Sequence, residues 1–168
     1  MSELIRLVYA SRAAFKPVPV TQGVEPSVGR ILMQSRRNNA HASIGGVLYF
    51  GDGYFFQTLE GERQAVNQAY QRIAADARHR EVTILSLKTV SERFFEDWSM
   101  KYVPAEEAVK QFIRSRNYQR FEPLKFQEAE AEALIELFHQ YDDSLANTGA
   151  KAKKKRAGWF GWRRLFTS

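Results

Sequence analysis

The sequence predicts an α+β fold in which two helices pack on one face of a mostly antiparallel sheet. Three observations lead to this prediction. Segments with strand-like and helix-like apolar spacing follow one another in the order β-α-β-β-α-β-β. A Gly-Asp-Gly turn joins the second and third strands. The chain is 44% hydrophobic and 13% aromatic, which is enough to bury a core. This order is that of a ferredoxin-like sheet with one added strand.

The first strand lies in "ELIRLVYAS", where apolar residues occupy both faces. Ile5, Leu7 and Tyr9 alternate with Leu4, Val8 and Ala10, which is typical of an interior strand. A proline-containing loop follows at residues 16–26. The segment "SVGRILMQSRRNNA" then predicts a helix from about Ser27 to Asn38–Asn39.

A hairpin comes next, because "IGGVLYF" and "YFFQTLE" flank the "GDG" turn. The second helix is predicted in "ERQAVNQAYQRIAADA", whose apolar residues recur at helical spacing: Val66, Ala69, Tyr70, Ile73 and Ala74. "EVTILSLKTV" and "WSMKYV" predict the last two strands. In the final strand, alternation would place Trp98, Met100 and Tyr102 on one face.

Two further helices are predicted after Pro104, and we expect them to cover the second face of the sheet. Their apolar stripes are Ala105, Ala108, Val109, Phe112 and Ile113, and then Leu134, Leu137, Phe138 and Tyr141. The predicted organisation is therefore a domain at residues 1–103, a helical extension at 104–146 and a tail at 147–168.

The tail holds the excess positive charge of the chain. Residues 151–168 contain 7 of the 25 basic residues and no acid, so residues 1–150 have a net charge of −1. Trp159, Trp162 and Phe166 lie at helical spacing beside this basic run, which suits contact with an anionic membrane or a polyanion. A disordered, solubilising tail is an equal alternative.

Several classes of function are disfavoured. The chain has no cysteine, its three histidines have no paired spacing, and it shows neither a signal-peptide pattern nor an apolar run near 20 residues. We therefore expect no metal site, no membrane span and a cytoplasmic location. No nucleophile elbow or phosphate-binding loop is present, so we expect no enzyme activity. The third strand, at residues 52–59, departs from the RNA-binding pattern at four positions, so no RNA binding by the sheet is expected.

Gln57 is the most unusual residue of the third strand. Alternation places its amide on the same face as Phe55 and Leu59, which is the pattern of a buried face. A buried amide without partners would cost about 1–3 kcal/mol. The sequence therefore predicts that Gln57 has specific hydrogen-bond partners.

Five separated motifs resemble the BLUF domain, a module that senses blue light using a flavin. They are "LVYAS", "QSRRNNAHASIGGVLYF", "YFFQTLEG", "IAADARHREV" and "FEDWSMKYV", in this order over residues 4 to about 103. The resemblance implies a short photoreceptor without a fused enzyme. It implies non-covalent binding of FAD, or of FMN or riboflavin, between the first two helices. It also implies output through a protein partner or a homo-oligomer.

The resemblance also implies the roles of individual residues. Tyr9 and Gln57 correspond to the photochemical tyrosine and glutamine of the family. Asn39, with Asn38 beside it, corresponds to the asparagine that holds the polar edge of the flavin. The remaining correspondences are pocket positions on the first helix, the region near the flavin's phosphate arm, and the signal-relay pair of the fifth strand: Ile31 and Ser35, His79 and Arg80, Trp98 and Met100.

Each of these residues also has an ordinary structural interpretation. A strand tyrosine is commonly a core residue, paired asparagines commonly end a helix, and Trp98 and Met100 could simply fill the core. Arg36 and Arg37 are expected to be solvated. A second class of function also stays open at this point: a constitutive scaffold or docking protein that acts through its basic tail.

Overall fold

The structure is a computed structural model that describes residues 3–19 and 24–148, with side chains up to residue 140. Its strands are β1 (Leu4–Ala13), β2 (Gly45–Gly51), β3 (Tyr54–Glu62), β4 (His79–Thr89) and β5 (Lys101–Tyr102). Its helices are α1 (Pro26–His41), α2 (Arg63–Ala74), α3 (Glu106–Ser115) and α4 (Glu128–Thr148), with a short 3-10 turn at Pro123–Lys125. The predicted order of elements is confirmed.

The five strands form one sheet in the order β4-β1-β3-β2-β5. Strand β1 pairs antiparallel with both β3 and β4, β2 pairs antiparallel with β3, and β5 adds parallel to β2. The ferredoxin-like sheet with an added strand is thus confirmed. In this register Tyr9 lies directly opposite Gln57 on neighbouring strands.

Each face of the sheet packs on its own pair of helices. One core lies between the sheet and α1 and α2, and it contains Leu7, Phe55 and Leu59. The other lies between the sheet and α3 and α4, and it contains Val8, Phe56 and residues of both helices. Because neighbouring strand residues point to opposite faces, the continuous apolar runs of β1 and β3 supply both cores.

Local chemistry sets the ends of α1. Glu25 precedes the helix and its carboxylate accepts a hydrogen bond from the backbone N–H of Val28, at 2.9 Å, while Pro26 occupies the first turn. At the other end, the backbone N–H of Ile44 donates to the carbonyl of Asn39 at 2.9 Å, which leads the chain directly into β2.

Two details differ from the sequence prediction. Strand β5 is only two residues long, since residues 98–100 have irregular backbone before it. Helix α4 buries Ile135, which the predicted stripe omitted, and leaves Leu137 half-buried; Tyr141 lies beyond the described side chains. The basic tail at residues 151–168 is outside the described residues.

No helix among the described residues is long and apolar enough to cross a membrane. The same part of the chain holds no cluster of three or more histidines and carboxylates arranged to bind a metal ion.

Candidate functional site: a cleft between the first two helices

A cleft opens between α1 and α2 over the sheet face that carries Tyr9 and Gln57. One side of helix α1 forms one wall, α2 forms the other wall, and the turn that leads into β4 closes one end. The lining residues are Tyr9, Ile31, Gln34, Ser35, Asn38, Asn39, Gln57, Ala69, Arg72, Ile73, Asp76, Arg78 and His79. The cleft brings together seven of the ten residues that the family resemblance pointed to.

A chain of three side chains forms the floor of the cleft. The Tyr9 hydroxyl donates a hydrogen bond to Gln57 Oε1, and Gln57 Nε2 donates to Met100 Sδ at 3.2 Å. All three residues are buried, with exposed fractions of 0%, 1% and 0%. The prediction that Gln57 is buried with specific partners is therefore confirmed.

The chemistry of its two neighbours defines the orientation of the Gln57 amide. Burial raises the pKa of Tyr9 well above its ordinary value, so the phenol is neutral and its O–H is available to donate. A thioether sulfur can only accept a hydrogen bond. The amide oxygen therefore faces the phenol and the amide nitrogen faces the sulfur.

Five residues of α1, among them Gln34, line one wall of the cleft. Ile31, Ser35 and Asn38 are three or four residues apart, so they lie on one side of the helix. Asn39 is buried, and its side-chain nitrogen donates to the backbone carbonyl of Ser99 at 3.0 Å. The wall thus combines an apolar contact surface with amide groups that can donate and accept.

His79 lies at the start of β4 and faces the cleft. Its Nδ1 is 2.7 Å from the Ser11 hydroxyl, and its ring lies 4.6 Å from the ring of Phe55. Burial is the main cause that lowers the pKa of His79 to about 4, so the imidazole is neutral at neutral pH.

Arg80 does not line the cleft, contrary to the sequence prediction. It is the next residue of the same strand, so its side chain points away from the side that His79 faces, and it is exposed. The cationic residues of the cleft are instead Arg72 and Arg78. Arg78 is held in place by Asp76, with Nη2 and Oδ2 at 2.6 Å, and by Gln34 Oε1, also at 2.6 Å.

Trp98 and Met100 do not share a face, so the alternation predicted for "WSMKYV" is wrong. Met100 is buried in the core under α1 and α2, whereas Trp98 packs against the core under α3 and α4. The physical reason is the irregular backbone of residues 98–100, which breaks the two-residue period of a strand before β5 begins.

Sequence reasoning missed Gln34, Ala69, Arg72, Ile73, Asp76 and Arg78 as cleft residues. Helical spacing could have found most of them. Gln34 lies three residues after Ile31 and four before Asn38, and Arg72 lies three residues after Ala69. A stripe counted only for apolar residues leaves out the polar residues on the same side of a helix.

The donor set fits a flat heteroaromatic ring with a polar edge. Ile31, Ala69 and Ile73 provide apolar contacts for the faces of a ring. The amides of Asn38, Asn39 and Gln57 can both donate and accept, as an edge of alternating N–H and carbonyl groups requires. Two arginines in the same cleft suit an anionic substituent. These are the requirements of a flavin nucleotide.

The comparisons with known proteins agree with this description. The family model described as "Sensors of blue-light using FAD" (BLUF) matches residues 4–101. The photoactivated adenylate cyclase subunit beta of Euglena gracilis is 35% identical over 86 residues, which are 48% of this chain and 10% of that protein. The chain spans about a tenth of the length of the curated relatives it matches.

Two solved structures match this chain over nearly their whole length. The photo-activated state of BlsA has a TM-score of 0.71 and 29% identity, covering 81% of this chain and 94% of that one. The dark state of BlrB, a BLUF protein, has a TM-score of 0.65 and 29% identity, covering 84% of this chain and 98% of that one. With its fold, its cleft and the family match over most of residues 1–103, the chain belongs to the BLUF family of blue-light sensors that use FAD.

Proposed function

We propose that this chain detects blue light with a flavin bound non-covalently between α1 and α2, and that Tyr9 and Gln57 are its photochemical residues. The main support is the buried hydrogen-bond chain from Tyr9 through Gln57 to Met100 at the floor of the cleft. FAD is the flavin we propose because the family description names it. Arg72 and Arg78 could bind its phosphates, which favours a flavin nucleotide over riboflavin.

A bound flavin supplies absorption of blue light and a one-electron acceptor. Tyr9 supplies the electron, and its proton has an acceptor in place, because its hydroxyl already donates to Gln57 Oε1. Loss of the electron makes a phenol far more acidic, so the proton moves along this hydrogen bond and returns when the electron does.

Gln57 converts this brief transfer into a lasting change. Rotation of its amide, or its imidic tautomer, exchanges donor and acceptor at the end that faces the cleft. A charged side chain could not do this at 1% exposure without a large desolvation cost. A new donor towards the polar edge of the ring is expected to shift the absorption to the red.

The proposed output is a change of contacts, not a turnover reaction, since the flavin ends as it began. Met100 contacts Gln57 and precedes β5, after which the chain enters α3 at Glu106. Met100, with Trp98 on the opposite side of the same segment, is the proposed relay to α3 and α4. A protein partner or an altered homo-oligomer would receive the signal.

The visible absorption spectrum before and after blue light tests the photochemical part. The wild-type protein should be yellow and show a reversible red shift. Tyr9→Phe and Gln57→Leu should each retain the flavin and lose the shift. Tyr49→Phe is the matched control, because Tyr49 is also buried but lies in the core under α3 and α4; it should retain the shift. A normal photocycle in Tyr9→Phe or Gln57→Leu would remove that residue from its proposed role.

Hydrogen exchange of residues 105–140 in dark and light tests the output route. Met100→Ala should keep most of the spectral shift and weaken the light-dependent change of exchange. An equal light response in wild type and variant would show that the signal leaves the cleft elsewhere.

A further inference from the structure

Arg36 is a buried cation on α1, where the sequence predicts a solvated one. Its exposed fraction is 7%, whereas Arg37 beside it is exposed. Burial lowers the pKa of the Arg36 guanidinium to about 10, so the group is still charged at neutral pH. A buried charge is costly unless it makes specific hydrogen bonds, so its contacts indicate what it does.

The guanidinium contacts the segment that positions the thioether beside Gln57. Arg36 Nε donates to the backbone carbonyl of Met100 at 2.7 Å. The pairing of β5 with β2 begins only at Lys101, so the strand ladder does not fix this carbonyl.

Three consecutive carbonyls are held in this irregular segment. The carbonyl of Trp98 accepts from the backbone N–H of Gly46 at 3.0 Å. The carbonyl of Ser99 accepts from Asn39, and that of Met100 accepts from Arg36. Two of the three donors are thus side chains of α1, the helix that forms a wall of the cleft. These three hydrogen bonds fix the backbone at Met100, from which the thioether side chain extends towards Gln57.

The position of Met100 matters because its sulfur selects the orientation of the Gln57 amide. Gln57 Nε2 donates to Met100 Sδ at 3.2 Å, and a sulfur that can only accept favours the nitrogen over the oxygen at that place. A flipped amide would place its oxygen against the sulfur, and neither atom could donate.

We propose that Arg36 is a positioning residue of the light response: it holds the Met100 carbonyl, keeps the thioether against Gln57 and so stabilises the resting orientation of the Gln57 amide. This inference rests on the proposed photochemical function of Gln57. It predicts that loss of the Arg36 hydrogen bond weakens the preference for the resting orientation. Thermal return after illumination should then slow by about two- to twelvefold, which is the effect of losing one hydrogen bond that contributes about 0.5–1.5 kcal/mol.

The test compares dark recovery of the red-shifted absorption in Arg36→Met, Arg36→Lys and Arg37→Met, each as the flavin-bound full chain. Arg36→Met removes the donor and keeps an apolar chain, so recovery should slow. Arg36→Lys can still donate to the carbonyl and should recover at nearly the wild-type rate. Arg37→Met removes the same charge from the neighbouring exposed position and should leave the rate unchanged.

A double-mutant comparison separates positioning from a general structural effect. If Arg36 acts through the thioether, Arg36→Met should have no effect on recovery in a Met100→Ala background. An unchanged rate in Arg36→Met, an equal change in Arg37→Met, or the same change with and without Met100 would each overturn the proposal. If Arg36→Met does not fold, Arg36→Leu, which also lacks a donor, replaces it and the same outcomes apply. A wild-type protein without any red shift would instead refute the proposed function itself.

Discussion

Replacing Glu60 by Gln should strongly destabilise the fold, because Glu60 is the centre of a buried ion pair. Its exposed fraction is 0%. One carboxylate oxygen accepts from Arg6 Nε at 2.9 Å and from the backbone N–H of Phe94 at 3.0 Å. The other accepts from the backbone N–H of Phe95 at 2.8 Å. All three neighbours are donors, so the site requires two acceptor oxygens and a negative charge.

The expected loss of stability follows from the hydrogen bonds that a glutamine amide cannot make at this site. One of its two ends is an NH₂ group, which must face an N–H donor, so at least one buried hydrogen bond is lost. Arg6 also keeps its charge at 5% exposure without this partner. Breaking one side of a buried pair costs about 3–5 kcal/mol. Glu132 Oε2, at 3.7 Å from Arg6 Nη1, can compensate in part, so we expect about 3 kcal/mol.

Thermal unfolding at pH 7 measures the effect. A loss of about 3 kcal/mol should lower Tm by about 6–12 °C for a chain of this length. Glu3→Gln is the matched control, since it removes a carboxylate from an exposed pair with Arg63, and exposed pairs contribute little. If Glu60→Gln and Glu3→Gln had similar Tm values, the reasoning that the buried pair stabilises the fold would be refuted.

Gly46→Ala should destabilise the protein, because a Cβ would lie 2.0 Å from a backbone carbonyl oxygen of the neighbouring strand. In α1, the Cβ of Gly29→Ala would meet nothing closer than 4.0 Å, so this change should stabilise the protein by about 0.5–1 kcal/mol. Urea unfolding should therefore show changes of opposite sign in the free energy of unfolding of the two variants. The unfolded protein binds a proton at His79 near pH 6.5 and the folded protein only near pH 4, so stability should fall by up to about 3 kcal/mol as pH drops between these values. His79→Gln should flatten this slope and His41→Gln, at an exposed position, should not; equal slopes in both would contradict the assignment. Asn39→Ala should weaken flavin affinity by about 5- to 150-fold while the red shift persists, and titration with FAD checks it; unchanged affinity with a lost shift would reverse its role.

The regular parts of the fold could be predicted because their periods are strict. A strand repeats every two residues, so alternation alone predicts which neighbours share a face with Tyr9 and with Gln57. The pairing of β1 with β3 then places the two residues opposite each other. The partners of Gln57 could not be derived in this way. Contacts between residues 43 positions apart, as between Gln57 and Met100, depend on the packing of the whole domain.

The sequence pattern and the structure differ where an irregular segment interrupts a strand and where a charged residue occupies a buried helical position. Strand alternation places Trp98 on the wrong face because the backbone of residues 98–100 is irregular. The charge of Arg36 predicts exposure to solvent, although the buried positions of α1 include Val28, Leu32 and Arg36 at intervals of four residues. A charged residue at a buried helical position is an exception that residue type alone does not reveal.

Residues 94–100 make hydrogen bonds with side chains of β3 on both faces of the sheet. On the cleft side, the Gln57 amide donates to the sulfur of Met100. On the other side, the Glu60 carboxylate accepts from the backbone N–H groups of Phe94 and Phe95, at the start of this segment. The two β3 residues are three positions apart, so they point to opposite faces and act on the two ends of residues 94–100.

The same segment is therefore joined to α4 as well as to the cleft. Arg6, which pairs with Glu60, also lies against the ring of Phe94 at 3.8 Å and approaches Glu132 of α4. Close-packed cores have little free volume, so a displaced Met100 must either rotate its own side chain or move the backbone that carries it. Arg36 and Asn39 resist the second outcome at the end of the segment, and Glu60 resists it at the start. Under the proposed function, a change at Gln57 can reach α4 through this segment only by working against these restraints, so their strength decides how much of the change stays inside the cleft.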